Sequence, residues 1–421
     1  MPKTAPKKSQ KYFSEYLVFV AIVLIFIVIR LFHLPDVINF GSDDGRDFLT
    51  TRNMYTNKQI VVLGPPSQYS VEGRRFFFGP APYYVILPAL ILGNWDPLFV
   101  SYYLIFLNAA VLLFTLLILR RYINDIWVSY LFAFFCTFTP VVITLTRSYW
   151  NPYFMLAVST LLLVLLVISK KKPVNATSFF VLIGFLFGLG FQFHYSFILA
   201  ITVSMVWLLV HKKLSARPLF ALLGGFIVGF LPIIAYELKN DFYNFKTLIL
   251  VFTSTSNANN DFQVNGVYYF ISLLPFLFFL LALLLAKLKK LNSALLYALL
   301  GIFVLCSAYV FVSRPTPVFT YPQLQAVASV IEGDKPTDFN IVDQLTRDNR
   351  AMALRYLLTV HGFVPHTVED YQSSKSIYIY SKEPLANLLK DPVYEIKSFL
   401  PFRKIKIWQL ENRIFLYKLE K

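Results

Sequence analysis

The chain has 421 residues, of which 57% are hydrophobic, 18% aromatic and only 15% charged. Its mean hydropathy of +0.59 lies well outside the range of soluble domains, so composition excludes that class and predicts a polytopic α-helical membrane protein. The net charge of +16 would suit nucleic acid, but it is concentrated in short clusters beside apolar runs. Such clusters are typical of cytoplasmic membrane flanks, and we expect no nucleic-acid partner.

The N-terminus combines a basic tail, residues 1–14, with an apolar run from Leu17 to His33. No small-residue cleavage site follows this run, so the pattern predicts a retained signal-anchor helix. The two cysteines, Cys136 and Cys306, lie far apart within apolar runs. They indicate no disulfide framework, and we interpret them as packing residues.

Apolar runs of membrane-spanning length, roughly 17 to 25 residues, predict about nine transmembrane helices. The runs lie at 15–33, 98–119, 126–146, 152–169, 176–193, 195–211, 216–236, 267–287 and 293–313. A further run, Pro82 to Gly93, has only about a dozen residues and contains Pro88. By length it predicts a re-entrant or interfacial helix instead of a span.

Basic clusters predict the topology. Four of them fall on the same side as the basic N-terminal tail if Pro82 to Gly93 does not cross the bilayer, and on the opposite side if it does. They are Arg120/Arg121, Lys170/Lys171/Lys172, Lys212/Lys213/Arg217 and Lys287/Lys289/Lys290. We therefore predict a multi-pass protein of the cytoplasmic (inner) cell membrane with a cytoplasmic N-terminus and an extracytoplasmic C-terminus. The non-crossing segment becomes an amphipathic helix at the outer leaflet.

Three segments of the predicted outer face are long or polar, namely 34–97, 237–266 and the tail after Arg314, and functional residues are expected there. The tail contains the alternating stretches FNIVDQL, SIYIYS, KIKIWQL and RIFLYKL, and the helical pattern NRAMALRYLLTVHG. We predict three domains, which are the basic tail 1–14, a transmembrane domain 15–313, and a small extracytoplasmic α/β domain 314–421 that ends in a hairpin around Glu411 and Asn412.

The stretch FGSDDGRDF follows the first apolar run and contains Asp43, Asp44 and Asp47. Each carboxylate would cost on the order of 2.5 to 3.5 kcal/mol at the centre of a membrane helix, so all three must face water, a cation or a polar substrate. They are candidates for function, although Asp43 or Asp44 would also suit the N-cap of a helix from Gly45 to Tyr55. The spacing also matches DDxxD, which makes Asp43 and Asp44 candidate ligands for a divalent cation such as Mg or Mn.

Candidate cations lie in the same outer loop and on a later outer turn. Arg74 and Arg75 stand beside FFFGPAP, and guanidinium next to aromatics at a leaflet surface suits a lipid-linked phosphate. The alternative is snorkelling to lipid headgroups. Arg147, in TLTRSYWNPY, is a further candidate. His194, in GFQFHYSF, is more typical of a packing or hydrogen-bonding residue than of a site.

The order of these motifs resembles the type C glycosyltransferases, in particular the bacterial branch related to protein O-mannosyltransferases and lipid A aminoarabinose transferases. The matching elements, over about residues 15–245, are a single span, SDDGRD, LGPPS with FFFGPAPYYVILPALILG, a span ending in RRY, TRSYWNP, QFHYS and AYELKNDFYNF. The resemblance implies a sugar donor on a polyprenyl phosphate, reached from the outer leaflet among membrane lipids. It maps the family's catalytic acidic pair to Asp43 and Asp44. The tail is smaller than in larger members, so the acceptor, a lipid, glycan or protein, stays open.

Sugar transfer from a phosphate needs a base for the acceptor hydroxyl and a cation for the departing phosphate. We assign Asp43 as general base and Asp44 to acceptor positioning or metal binding. Arg74 or Arg75, with Arg147, would clamp the phosphate, and attack assisted by a separate base predicts inversion at the anomeric carbon. The remaining candidate substrate-binding residues are Asp47, Trp150, Asn151 and His194.

Two other functions compete with this hypothesis. A transporter or flippase of a lipid-linked or polar substrate would use the acidic cluster to bind a cation or an amine, but such proteins usually place polar or broken helices at the bilayer midplane. Here the spans are almost free of charge, and Gly184, Gly188 and Gly190 indicate close helix packing. A scaffolding protein that binds partners through its tail is the third possibility.

Overall fold

The structure is a computed structural model that describes residues 8–38, 40–171, 177–253, 266–313, 319–346 and 348–421. Several sequence predictions fall outside these ranges. They concern residues 1–7 of the basic tail, Lys172 of one basic cluster, residues 254–265 of the outer loop 237–266 and the domain boundary at 314.

Most of the described chain is helical, because in lipid an apolar segment can satisfy its backbone hydrogen bonds only within a helix or a closed barrel. The α-helices are α1 (Lys8–Leu31), α2 (Leu34–Val37), α3 (Ser42–Thr56), α4 (Ala81–Leu92), α5 (Pro97–Tyr122), α6 (Ile126–Phe138), α7 (Pro140–Leu145), α8 (Phe154–Lys171), α9 (Thr177–Phe193), α10 (Ile198–Val210), α11 (Ala216–Gly229), α12 (Leu231–Lys239), α13 (Tyr243–Thr253), α14 (Leu274–Leu291), α15 (Ser293–Val312), α16 (Tyr321–Gly333), α17 (Met352–Val360), α18 (Leu385–Lys390) and α19 (Tyr394–Lys397).

The strands form two separate sheets. Strands β1 (Pro66–Val71) and β2 (Arg74–Phe77) make an antiparallel hairpin. The second sheet contains β3 (Phe339–Asp343), β4 (Ser376–Ser381), β5 (Lys404–Gln409) and β6 (Phe415–Glu420) in the order β3-β4-β6-β5. Strands β3 and β4 are parallel, and the other two pairs are antiparallel.

The predicted apolar runs all contain helices. Within the described ranges, five helical segments are long and apolar enough to cross a membrane, namely 13–31, 97–122, 151–170, 268–291 and 293–312. Helices α11 and α12 would make a sixth span, bent by 72° at their junction. The other predicted runs, 126–146, 176–193 and 195–211, correspond to apolar helices of 10–17 residues. The polytopic helical class is therefore confirmed, whereas the count of nine spans stays a prediction.

Helix α4 occupies the segment that we predicted not to cross the membrane. Its 12 residues make a helix about 18 Å long, which is short of the hydrocarbon core of about 30 Å. Its exposed side is as apolar as its buried side, since Ile91 and Leu92 are exposed while Ile86 and Leu90 are buried. The expectation of an amphipathic helix is therefore wrong, because α4 has no charged face.

The described chain packs as two compact units. Within the described ranges, unit 1 comprises residues 1–32, 60–86 and 102–314, and unit 2 comprises residues 33–59, 87–101 and 315–421. Unit 2 therefore combines the C-terminal tail with the segment that contains the acidic cluster, a grouping that the sequence did not reveal.

Helices α9 and α11 of unit 1 pack closely because glycines lie at their contact. A Cβ atom on Gly184 would lie 2.0 Å from the carbonyl oxygen of Leu222, and one on Gly225 would lie 2.1 Å from that of Val181. Only residues without a side chain allow the two backbones to approach so closely. The predicted packing role of Gly184 is confirmed.

The sheet of unit 2 confirms the predicted small α/β region with a terminal hairpin. Strands β5 and β6 are joined through a turn at Glu411–Arg413. The sheet packs on an apolar core that includes Val342, Ile379, Phe399 and Leu419. The predicted helix is present as α17, and the following Gly362 has a φ of 91°, a conformation that glycine adopts readily after a helix.

Helix α16 lies directly after the last apolar run and was not predicted from the sequence. Its start has a capping box, in which the side-chain oxygen of Gln323 accepts a hydrogen bond of 2.9 Å from the backbone N–H of Thr320. The pattern Thr-x-x-Gln before an apolar helix is a recognisable start signal. Its buried face carries Leu324, Val327 and Ile331.

Candidate functional site

The acidic cluster lies in the first two turns of α3 in unit 2. The helix begins at Ser42, three residues earlier than predicted, with Gly41 at its N-cap. Asp44 is the third helical residue, and its Oδ2 accepts a hydrogen bond of 3.1 Å from the backbone N–H of Gly41. Asp44 therefore has the predicted role in capping α3. It does so from the third helical position, by accepting a hydrogen bond from the N-cap residue, and it is not itself the N-cap.

Arg46 links the other two carboxylates of the cluster. Its guanidinium lies 2.8 Å from Asp43 Oδ1 and 2.8 Å from Asp47 Oδ1. The side chain of Asp43 is 38% exposed, whereas that of Asp47 is 0% exposed. Of these two carboxylates, Asp43 is therefore the one that a substrate can reach. The buried Asp47 pairs with Arg46 and stabilises α3.

The environment of Asp44 favours its protonated form. Burial raises the pKa of Asp44 well above its ordinary value. The hydrogen bond from Gly41 opposes this shift, and the charges of Asp47 and Asp43 add to it. Desolvation thus outweighs the guanidinium of Arg46, which favours the ionised carboxylate.

The start of α3 packs directly against the start of α17. A Cβ atom on Gly45 would lie 2.4 Å from backbone atoms of Met352 and Ala353. Asp348, whose side chain accepts a hydrogen bond of 2.7 Å from the backbone N–H of Met352, also interacts with Ser42. The tail of the chain therefore positions the helix that carries Asp43.

The candidate phosphate-binding arginines lie in unit 1, on the hairpin β1-β2. Its turn consists of Glu72, with a φ of 51°, and Gly73, with a φ of 73°, as in the two-residue turns that match the twist of antiparallel strands. Arg74 and Arg75 follow directly and are exposed. Within the described ranges neither arginine forms an ion pair.

The base of the hairpin is held by side chains from two other elements of unit 1. Asn244 of α13 accepts a hydrogen bond from the backbone N–H of Phe77 and donates one of 2.9 Å to its carbonyl. The Tyr195 hydroxyl donates to the same carbonyl at 2.7 Å. The Asn244 amide thus makes the two backbone hydrogen bonds that a neighbouring strand would otherwise make with Phe77. Asn244 lies within AYELKNDFYNF, but its role was not predicted.

The other predicted residues of unit 1 are largely buried. The Arg147 side chain is 4% exposed, and its guanidinium carbon lies 5.6 Å from the ring centre of Phe311. The Asn151 amide donates to the carbonyl of Phe193 at 2.8 Å. The hydrogen bond favours a structural role for Asn151, and the proposed contact of both residues with substrate stays a prediction.

His194 and Trp150 belong to an aromatic cluster that the sequence did not reveal. The His194 ring stacks on Phe78 with centres 4.7 Å apart, and its Nδ1 accepts from the backbone N–H of Ser196 at 3.1 Å. The Trp150 ring lies 5.0 Å from that of Tyr268. These contacts favour the packing interpretation of His194.

Three tyrosine hydroxyls meet in the same cluster. Tyr268 donates to the Tyr269 hydroxyl at 2.8 Å, and the Tyr69 and Tyr269 hydroxyls are 3.0 Å apart. Tyr69 lies on β1, so the hydroxyls connect the hairpin to the segment before α14. Tyrosines this far apart in sequence give no signal that they meet.

A metal site at Asp43 and Asp44 was a further prediction. Asp44 Oδ2 is used by the backbone of Gly41, and Asp43 Oδ1 by Arg46. Among the residues that the structure describes, no group of three or more histidine, cysteine, aspartate or glutamate side chains is placed to hold a metal ion. The divalent cation therefore stays a prediction.

The predicted site residues thus fall into two sets. Asp43, Asp44 and Asp47 belong to unit 2, whereas Arg74, Arg75, Arg147, Trp150, Asn151 and His194 belong to unit 1. That both sets act on one substrate, as the predicted mechanism requires, stays a prediction.

Comparison with known proteins supports the fold. No protein-family model and no curated protein sequence matches this chain. Among solved structures, the chain is similar to the crystal structure of ArnT from Cupriavidus metallidurans bound to undecaprenyl phosphate, with a TM-score of 0.57 and 11% sequence identity. The similarity covers 96% of this chain and 97% of that chain. The chain therefore has an ArnT-like fold and is a multi-pass membrane protein, which confirms the predicted resemblance at the level of fold.

Proposed function

We propose that the chain is a membrane glycosyltransferase that moves a sugar from a polyprenyl-phosphate donor to a hydroxyl or amine of an acceptor outside the cytoplasmic membrane. The observation that carries this proposal is the fold similarity along 96% of the chain to ArnT, whose structure holds undecaprenyl phosphate. A flippase or transporter would not be expected to have this fold along its whole length.

Asp43 is the general base of the proposed reaction. The acceptor oxygen attacks the anomeric carbon of the sugar while its proton passes to the Asp43 carboxylate. The bond between that carbon and the phosphate oxygen breaks, and the electron pair leaves with the polyprenyl phosphate. Exposure supports this choice among the three carboxylates, since Asp44 is 5% and Asp47 0% exposed, whereas the side chain of Asp43 is 38% exposed.

Arg74 and Arg75 would receive the charge that develops on the departing phosphate. Both are exposed and form no ion pair within the described ranges, so a phosphate need not displace a carboxylate to bind them. Guanidinium binds phosphate oxygens through charge-assisted, often bidentate hydrogen bonds. Attack on the face opposite the phosphate inverts the anomeric configuration.

The test uses the full chain in lipid nanodiscs with polyprenyl phosphates that carry labelled hexoses or pentoses. We expect release or transfer of the sugar together with free polyprenyl phosphate. Asp43→Asn should lower turnover by about 10² to 10⁴, the usual contribution of general base catalysis.

Asp36→Asn is the matched control, because Asp36 is an exposed aspartate of the same outer segment that pairs with His33. Recovery of every donor intact would overturn the proposal, and movement of intact donor between leaflets would favour a flippase. A wild-type rate for Asp43→Asn would remove Asp43 from the role of base.

A further inference from the structure

A cavity of about 360 Å³ lies within unit 2, between the turn that joins α4 to α5 and the helices α16 and α17. Its volume falls within the range of about 300 to 1,000 Å³ that is usual for small-molecule sites. None of the predicted site residues lines it, so it is separate from the acidic cluster.

The turn on one side of the cavity has an unusual backbone. Asn94 has a φ of 50° and Trp95 a φ of 67°, and a residue as bulky as tryptophan rarely adopts this left-handed conformation. Two hydrogen bonds hold it there, from the Trp95 N–H to the Leu90 carbonyl at 2.7 Å and from the Tyr356 hydroxyl to the Trp95 carbonyl at 2.6 Å. Such strain costs of order 1 to 3 kcal/mol and clusters at ligand sites.

The cavity is lined by an indole and by neutral or acidic hydrogen-bonding groups. The Asp96 carboxylate is fixed by hydrogen bonds from the Tyr321 hydroxyl at 2.9 Å and from the Leu98 N–H at 2.8 Å. Gln325 and Ser329 contribute an amide and a hydroxyl from the exposed face of α16. Trp95 adds an aromatic surface to these groups.

Charge restricts the ligand class. Neither lysine nor arginine is among the lining residues, and the lining His361 lies beside the carboxylate of Glu332. A phosphate or carboxylate ligand would therefore meet the repulsion of Asp96 and Glu332, and a lipid tail would remove water from the Asp96 carboxylate without offering it a further hydrogen bond. Hydroxyl groups, in contrast, can donate to a carboxylate and exchange hydrogen bonds with an amide, while the C–H face of a sugar ring packs on an indole.

The cavity also adjoins the structure that supports α3. The Phe40 ring lies 5.4 Å from Phe48 of α3, 6.0 Å from Tyr321 and 5.8 Å from Tyr356, measured between ring centres. Tyr321 and Tyr356 also make the hydrogen bonds to Asp96 and Trp95 described above. One layer of aromatic rings, formed by Phe40, Phe48, Tyr321 and Tyr356, therefore connects the wall of the cavity to the helix that carries Asp43.

We propose that this cavity is a carbohydrate-binding site that holds a sugar unit of the acceptor. Carbohydrate binding follows from the geometry of the cavity alone, and only its assignment to the acceptor rests on the proposed glycosyltransferase function.

Saturation-transfer NMR on the full chain in lipid nanodiscs tests binding, with millimolar mannose, glucose, galactose and N-acetylglucosamine as probes and inorganic phosphate for comparison. We expect saturation transfer to at least one sugar in the wild type and its loss in Ser329→Trp, whose indole adds bulk among the residues that line the cavity. Ala326→Trp is the matched control, since it adds the same bulk at an exposed α16 position outside the lining.

Absence of transfer to every sugar, transfer that Ser329→Trp leaves unchanged, or binding of phosphate in place of sugar would each overturn the proposal. A donor assay separates it from the proposed function. Ser329→Trp should keep the hydrolysis of a polyprenyl-phosphate sugar and lose only transfer to a glycan acceptor. If no donor is consumed while sugar binding persists, the glycosyltransferase proposal and the acceptor role both fail, and the carbohydrate site stands.

Discussion

The acidic helix α3 and the arginine hairpin β1-β2 carry opposite charges, and they differ in the burial and pairing of their charged side chains. On α3, Asp44 is tied to the backbone and Asp47 to Arg46, and both carboxylates are buried. On the hairpin, Arg74 and Arg75 are exposed and form no ion pair within the described ranges. The carboxylates of Asp44 and Asp47 therefore contribute to the structure of the helix, whereas the charges of the hairpin are accessible to a ligand.

Loss of Arg46 should have the largest effect on stability. Arg46→Gln removes the guanidinium that pairs with the fully buried Asp47, and breaking a buried pair on one side costs about 3 kcal/mol or more. Thermal unfolding of the variant in nanodiscs should show this loss, and Arg46→Gln/Asp47→Asn should recover most of it. An unfolding temperature equal to that of the wild type would contradict the structural role of the pair.

The hairpin arginines should affect binding but not stability. Under the proposed function, Arg74→Gln or Arg75→Gln removes one charge-assisted contact to phosphate, worth about 1.5 to 3 kcal/mol, and should raise the KM for the donor about 10-fold to 100-fold. The unfolding temperature should not change, since both side chains are exposed. Glu72→Gln at the same turn is the control, and an unchanged KM in both arginine variants would leave snorkelling as their role.

Gly45 tests the contact that connects α3 to the tail. Gly45→Ala places a methyl group 2.4 Å from backbone atoms of Met352 and Ala353, and overpacking of this kind costs about 1 to 3 kcal/mol. Gly224→Ala is the matched control, because a Cβ atom there meets nothing within 4 Å. Equal unfolding temperatures for the two variants would show that α17 does not hold α3.

Asp44 should give the smallest effect, visible as a dependence on pH. Because its pKa is raised in the folded chain, the folded state binds the proton more tightly than the unfolded state. The free energy of unfolding should therefore fall as pH rises from about 3.9, the ordinary value for aspartate, through the folded-state pKa.

Asp44→Asn keeps an oxygen for the N–H of Gly41 but removes the ionisation. The unfolding temperature of the variant minus that of the wild type should therefore increase with pH across that window. A difference that stays constant with pH would mean that Asp44 is not desolvated in the folded protein.

Local sequence patterns were sufficient for much of the fold. The strands of the tail sheet were predicted because each alternating stretch carries its own signal, and the helix ending at His361 because Gly362 marks its end. Helix α16 was missed although Thr320 and Gln323 form a capping box, so its start signal was present in the sequence.

The candidate site was less predictable because its supports come from distant parts of the chain. Asp43 was identified from the cost of placing carboxylates in lipid, which is a property of the residues themselves. The contact of Gly45 with α17 joins positions about three hundred residues apart, and no local pattern reports it. The same holds for Asn244 at the hairpin base and for the tyrosine hydroxyls that meet Tyr69.

The ring layer of Phe40, Phe48, Tyr321 and Tyr356 has a thermodynamic consequence. Its members touch both α3 and the walls of the cavity, so a ligand that prefers one arrangement of these rings also prefers one placement of the helix that carries Asp43. Linkage then works equally in both directions. Under the proposed function, if an occupied cavity favours the position of Asp43 that reacts with donor, a donor analogue that selects this position must tighten the binding of a ligand in the cavity by the same factor.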